Sequence, residues 1–116
     1  MKTVVLIEDD QFLQELYKEL VGSSFILEIF GDGLSGKERL LKGGWDLALV
    51  DLTLPALSGI QVLEAVHKLK NKGKLVVLTN SEDPALITLA KKNSDEILIK
   101  SKIDPNEFVA KIQSLF

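Results

Sequence analysis

The sequence has no cysteine and only one histidine, His67, in 116 residues. Without thiols it can form neither disulfides nor thiolate metal sites, which fits a reducing cytosol. There are three prolines, and no Pro/Gly-rich linker or low-complexity tract marks an internal boundary. No apolar run reaches spanning length, and Met1-Lys2-Thr3 leads straight into Val4-Val5-Leu6-Ile7 without the h-region and cleavage site of a signal peptide. A large excess of charge is missing too. The net value is −3, which gives no reason to expect direct nucleic-acid or membrane binding. What remains, 46% hydrophobic and 27% charged, reads as one globular domain over residues 1–116, expected in the cytoplasm.

Short apolar runs alternate with helical patterns along the chain. Thr3–Ile7 reads as a strand that ends on Glu8-Asp9-Asp10. Leu13, Leu16, Tyr17 and Leu20 then fall at helical spacing, with Asp9 or Asp10 placed to cap the helix and Gly22 to stop it. Phe25–Phe30 reads as a second strand, and Glu28 in its middle argues for an edge. Gly31-Asp32-Gly33 turns into a short helix loosened by Gly36 and ended by Gly43-Gly44. Leu47–Val50 is apolar throughout, a strand buried on both faces, and it stops on Asp51 before Pro55. A third helix is expected from Ser58-Gly59, with Ile60, Leu63 and Val66 inward and Gly73 closing it. Leu75–Leu78 ends on Thr79, and Asp83-Pro84 opens a helix through Ala90. Ile97–Ile99 ends on Lys100, and Asp104-Pro105-Asn106-Glu107 has the form of a capping box for a last helix. Five strands alternating with five helices predict an α/β fold: a parallel sheet, right-handed crossovers and helices on both faces.

In such a sheet ligands bind beyond the carboxyl ends of the strands. The residues expected there are Asp9, Asp10, Asp51, Thr79 and Lys100. Carboxylates gathered this closely repel one another unless a cation shares the site. An all-oxygen donor set suits a hard ion, Mg²⁺ first. A carboxylate can also attack phosphorus to give an acyl phosphate, with an ammonium and a hydroxyl holding the oxygens.

Taken in order, Glu8-Asp9-Asp10, Asp51-Leu52-Thr53-Leu54-Pro55 with Ser58-Gly59, Thr79 and Lys100 resemble the receiver domain of bacterial two-component response regulators. The resemblance covers essentially the whole chain. It implies a flavodoxin-like, doubly wound five-stranded parallel sheet of order 2-1-3-4-5 with five helices. It also implies that Asp51 accepts a phosphoryl group from a sensor histidine kinase, a phosphotransfer protein or a small donor. Asp10 and Asp51, with the backbone carbonyl of Thr53, would ligate Mg²⁺, and Asp9 would act through water. Thr79 and Lys100 would hold the phosphate. Modification would then change the partner affinity of the face made by the fourth helix, fifth strand and fifth helix, toward a downstream effector. Such a protein modifies itself and turns over no separate substrate. Three positions depart from the family pattern. Ile97 stands where an aromatic switch residue is usual, Ser101 where proline follows the lysine, and Asn80 where a small residue follows the threonine. These departures imply slower or altered signalling.

Plainer readings apply elsewhere. Gly31 to Lys37 fits part of a G-x-x-x-x-G-K phosphate loop, but Glu38 follows where Ser or Thr is needed, so the match is read as coincidence. His67 is expected at a solvated surface position, and Trp45 over the lower edge of the sheet. Lys68 to Lys72 reads as a helix end and its exit. The competing function is a receiver-like interaction module that never uses the phosphate chemistry; a flavin-binding relative is disfavoured by the acidic groups where an anionic phosphate would sit.

Overall fold

The computed structural model describes residues 1–70 and 72–116; Asn71, within the lysine-rich run, lies outside the described residues. The strands are β1 (Thr3–Ile7), β2 (Ile26–Phe30), β3 (Leu47–Asp51), β4 (Lys74–Thr79) and β5 (Glu96–Ile99). Between and after them run α1 (Gln11–Val21), α2 (Gly33–Leu41), α3 (Gly59–Val66), α4 (Pro84–Lys92) and α5 (Pro105–Ser114). All four strand pairings are parallel, in the order β2-β1-β3-β4-β5. This is the expected flavodoxin-like winding, with β2 on the edge and Glu28 tied to Arg39 of α2 at 2.6 Å.

The period-two alternation of each strand divides the core into two layers. Val4 and Leu6 of β1, Leu47 and Leu49 of β3, and Val76 and Leu78 of β4 face Tyr17 and Val21 of α1 and Phe108 and Ile112 of α5. Val5, Ile7, Ala48, Val50, Leu75 and Val77 face Leu40, Val62, Leu63, Val66 and Ala90 of the other three helices. Every one of these strand residues is at most 1% exposed, so the central strands are apolar on both faces. Trp45 is buried beside them and donates its indole N–H to the Leu40 carbonyl at 2.9 Å.

Helix starts follow the capping chemistry of the sequence. Asp10, Asp32, Ser58, Asp83 and Asp104 each accept a backbone N–H from the first turn, and Ser58 and Asp104 complete reciprocal boxes with Gln61 and Glu107. Gly43 and Gly44, at φ 73° and 77°, turn the chain out of α2.

Three expectations need correction. α3 ends at Val66, with His67 as its half-buried C-cap, so Gly73 does not close it and the following lysines lie beyond the helix. Gly73 instead sits where a Cβ would lie 2.2 Å from the Asp46 carbonyl oxygen. Gly36 is a close-packing residue rather than a loosening one: a Cβ there would lie 2.3 Å from Ile7 Cδ1 in the core.

Candidate functional site

The winding reverses between β1 and β3, and their carboxyl ends lie side by side. Ile7 pairs with Val50, so the next residue on each strand, Glu8 on one and Asp51 on the other, share a level at the sheet edge. Thr79 and Ile99 pair in the same way between β4 and β5, which brings Lys100 to that edge. The four strand tips border a cleft of about 390 Å³ lined by Glu8, Asp9, Asp10, Asp51, Thr53, Thr79 and Lys100, among others.

Lys100 is the hub. Its Nζ donates to Glu8 Oε1 at 2.7 Å and to Asp51 Oδ2 at 2.9 Å. Glu8 is 1% exposed and Asp51 7%. Two buried carboxylates with one ammonium between them leave an excess negative charge. Glu8 registers it: burial raises its pKa, hydrogen bonding from Lys100 pulls the other way, and the neighbouring Asp51 raises it further, to about 7. For Lys100, burial disfavours the ammonium, but hydrogen bonds to Glu8 and Asp51 outweigh it and the pKa lies above the usual lysine value. Tyr17, under the site, has its phenol pushed up chiefly by burial.

The remaining acceptor positions are also engaged. Asp51 Oδ1 receives the Thr53 N–H at 3.2 Å, and Glu8 Oε2 receives the Asp10 N–H at 3.2 Å. Thr79 is 3% exposed, and its Oγ1 accepts the Ser81 N–H at 2.9 Å, leaving its own O–H to donate.

Among the sequence-expected residues, the structure gathers Asp9, Asp51, Thr53, Thr79 and Lys100 around one cleft. Asp10 lines its rim, but its Oδ1 accepts the Leu13 N–H at 3.1 Å as the α1 cap. The acidic cluster is instead Glu8, Asp9 and Asp51, which offer carboxylate oxygens all within 4.8 Å of one another. Asp10, expected as a ligand, lies outside that cluster. The missed residue is Glu8, and its signal was positional: it comes directly after Ile7 as Asp51 comes directly after Val50, and those two residues pair. Ile97 is half-buried on β5 and packs against the layer holding Val77 and Ala90. No helix among the described residues is long and apolar enough to cross a membrane.

Comparison with known proteins gives the family. A family model described as the response regulator receiver domain matches residues 4–113. The transcriptional regulatory protein PcoR of Escherichia coli is 28% identical over 127 residues, covering 99% of this chain and 51% of PcoR. The response regulator ArlR of Staphylococcus epidermidis is 23% identical over 116 residues, covering 99% and 52%. The chain thus spans about half the length of these curated relatives. Among solved structures, the receiver domain of a Pseudomonas aeruginosa sensor histidine kinase shares the fold with a TM-score of 0.86 at 18% identity, covering 98% of this chain and 96% of that one. That protein carries a magnesium ion in its active-site cleft.

Proposed function

The chain belongs to the response regulator receiver family, and from that premise we propose that it is a phosphorylation-controlled switch whose phosphoacceptor is Asp51. The observation that carries the reading is the shared grip of Lys100 on Asp51 and Glu8, at 2.9 and 2.7 Å, beside a third carboxylate from Asp9. An Asp51 oxygen forms a bond to phosphorus as the bond from phosphorus to the donor breaks. The electron pair leaves on acetate or on an imidazole nitrogen, which takes up a proton. The product on the protein is an acyl phosphate. Lys100, already on Asp51 Oδ2, moves onto an oxygen of the new group, and the Thr79 hydroxyl donates to another.

The donor set fits Mg²⁺: three carboxylates and no nitrogen or sulfur ligand in the cluster. We assign Asp9 and Asp51, with the Thr53 carbonyl, as its holders, with Glu8 close by; Asp10 remains the α1 cap. When bound, the ion supplies positive charge against the phosphoryl oxygens. The cognate donor is a sensor histidine kinase, a phosphotransfer protein or a small acyl phosphate. The output is a change in effector affinity at the α4, β5 and α5 face, with Thr79 and Ile97 as the moving residues. The protein modifies itself and consumes no further substrate.

Intact mass after incubation with acetyl phosphate and Mg²⁺ tests the proposal. One phosphoryl group is expected on the wild type and none on Asp51→Asn. Equal modification of both proteins, or of neither at millimolar donor, refutes it in favour of a phosphate-independent interaction module.

A further inference from the structure

We propose that Asn80 is a positioning residue for Lys100, acting through the backbone of Ser101. The inference rests on the reading of Lys100 as the phosphoryl-holding cation. β5 stops at Ile99, and Lys100–Lys102 curl into one turn of 3₁₀ helix whose start has no side-chain cap within the turn. The first N–H groups of such a turn lack intrahelical partners. One of them, the Ser101 N–H, is taken by Asn80 Oδ1 at 2.8 Å, from a residue 21 positions earlier.

Asn80 follows Thr79 at the tip of β4, on the strand that pairs with β5. Its own loop is braced: the Ser81 N–H donates to Thr79 Oγ1 at 2.9 Å, and the Asp83 N–H to Ser81 Oγ at 3.2 Å. The lysine backbone is therefore fixed on both sides, by the sheet ladder through Ile99 and by the carboxamide through Ser101. This matters because a long side chain must place one nitrogen within 2.9 Å of two separate carboxylates. A backbone displacement of about 1 Å exceeds the tolerance of a hydrogen bond to either. The carboxamide also suits its place by being neutral. An aspartate would accept the same N–H but bring another negative charge to a cleft already lined by Glu8, Asp9, Asp10 and Asp51.

The test uses the full chain as wild type, Asn80→Ala, Asn80→Asp, Ser101→Ala, Ser101→Pro and the double variant Asn80→Ala with Ser101→Pro. Hydrogen exchange at the Ser101 amide and the NMR resonance of Lys100 Nζ report position. The rate of phosphorylation by acetyl phosphate with Mg²⁺ reports the consequence. Asn80→Ala is expected to lose Ser101 protection, shift the Lys100 resonance and slow phosphorylation about fivefold, the equivalent of one net hydrogen bond. Asn80→Asp keeps the acceptor and so retains the protection. Ser101→Ala keeps the N–H and behaves as wild type. Ser101→Pro removes the donor, and adding Asn80→Ala in that background costs nothing more. Unchanged Ser101 protection and Lys100 resonance in Asn80→Ala overturn the proposal, as do additive losses in the double variant. A wild type that never takes up phosphate strikes the reading of Asp51 instead, and the exchange and resonance measurements still decide the role of Asn80.

Discussion

Replacing Glu8 with glutamine should flatten the pH dependence of folding stability, and the size of the effect follows from the burial of Glu8 next to Asp51. In the unfolded chain Glu8 gives up its proton near the ordinary value of 4.5, whereas in the folded protein it holds the proton to about 7. Between those values the folded state binds more protons than the unfolded one, so stability falls as pH rises through the window. The full contribution is present below 4.5 and gone above about 7. At about 1.36 kcal/mol per unit it amounts to roughly 3 kcal/mol, most of which is lost between pH 5 and 8. Glu8 is 1% exposed, so solvent screening trims this little. Glutamine keeps the size and an oxygen for the Lys100 ammonium but has no proton to lose. Urea titrations of metal-free protein at several pH values, followed by the fluorescence of the single tryptophan, Trp45, measure the difference directly. The wild type should lose about 2–3 kcal/mol relative to Glu8→Gln from pH 5 to 8. Parallel curves, within about 0.5 kcal/mol across that range, would refute the burial of an ionisable Glu8 beside Asp51.

Other substitutions probe the same structure from different sides. Lys100→Met strands two buried carboxylates, so at pH 8 it should cost about 2–4 kcal/mol in urea unfolding, less than a fully buried pair because the lysine is partly exposed. At pH 5, where Glu8 can take a proton, that cost should shrink. Gly36→Ala should destabilise by about 1–3 kcal/mol, since its methyl group meets Ile7 in the core; a gain of about 1 kcal/mol from helix propensity would contradict the packing. Asp32 and Asp104 have pKa values lowered by backbone N–H groups of the helices they cap, so their stabilisation disappears as pH falls through those depressed values. The variants Asp32→Ala and Asp104→Ala should therefore lower the thermal midpoint at neutral pH and lose less of it on acidification below pH 3.8.

How far the fold could be read from residues alone depended on how local the deciding interaction was. Strand ends coincide with the points where apolar runs meet a charge or hydroxyl, at Ile7, Asp51, Thr79 and Ile99. Helix starts follow Asp and Ser caps, because the cap bond spans only two or three residues. The pairing of Asp51 with Lys100 was legible from topology, since parallel winding sends both tips to one edge. The choice between Glu8 and Asp10 was not. It depends on the register of β1 against β3, and three consecutive acidic residues give no internal clue to which of them faces the neighbouring strand. Gly36 misled for a similar reason: a helix scale counts its missing side chain as a loss, whereas Ile7 occupies that space. The apolar pattern after Val66 continued through Leu69 and concealed the end of α3. Asn80 and Ser101 stood out one at a time as departures, and only the folded chain joins them.

Glu8 and Lys100 stand 92 positions apart yet share a proton donor and acceptor at 2.7 Å. During synthesis the acidic members leave the ribosome before the basic one, which waits for the fifth strand. A truncated or nicked polypeptide that loses the closing strand would keep its aspartates and still have no counter-ion for them.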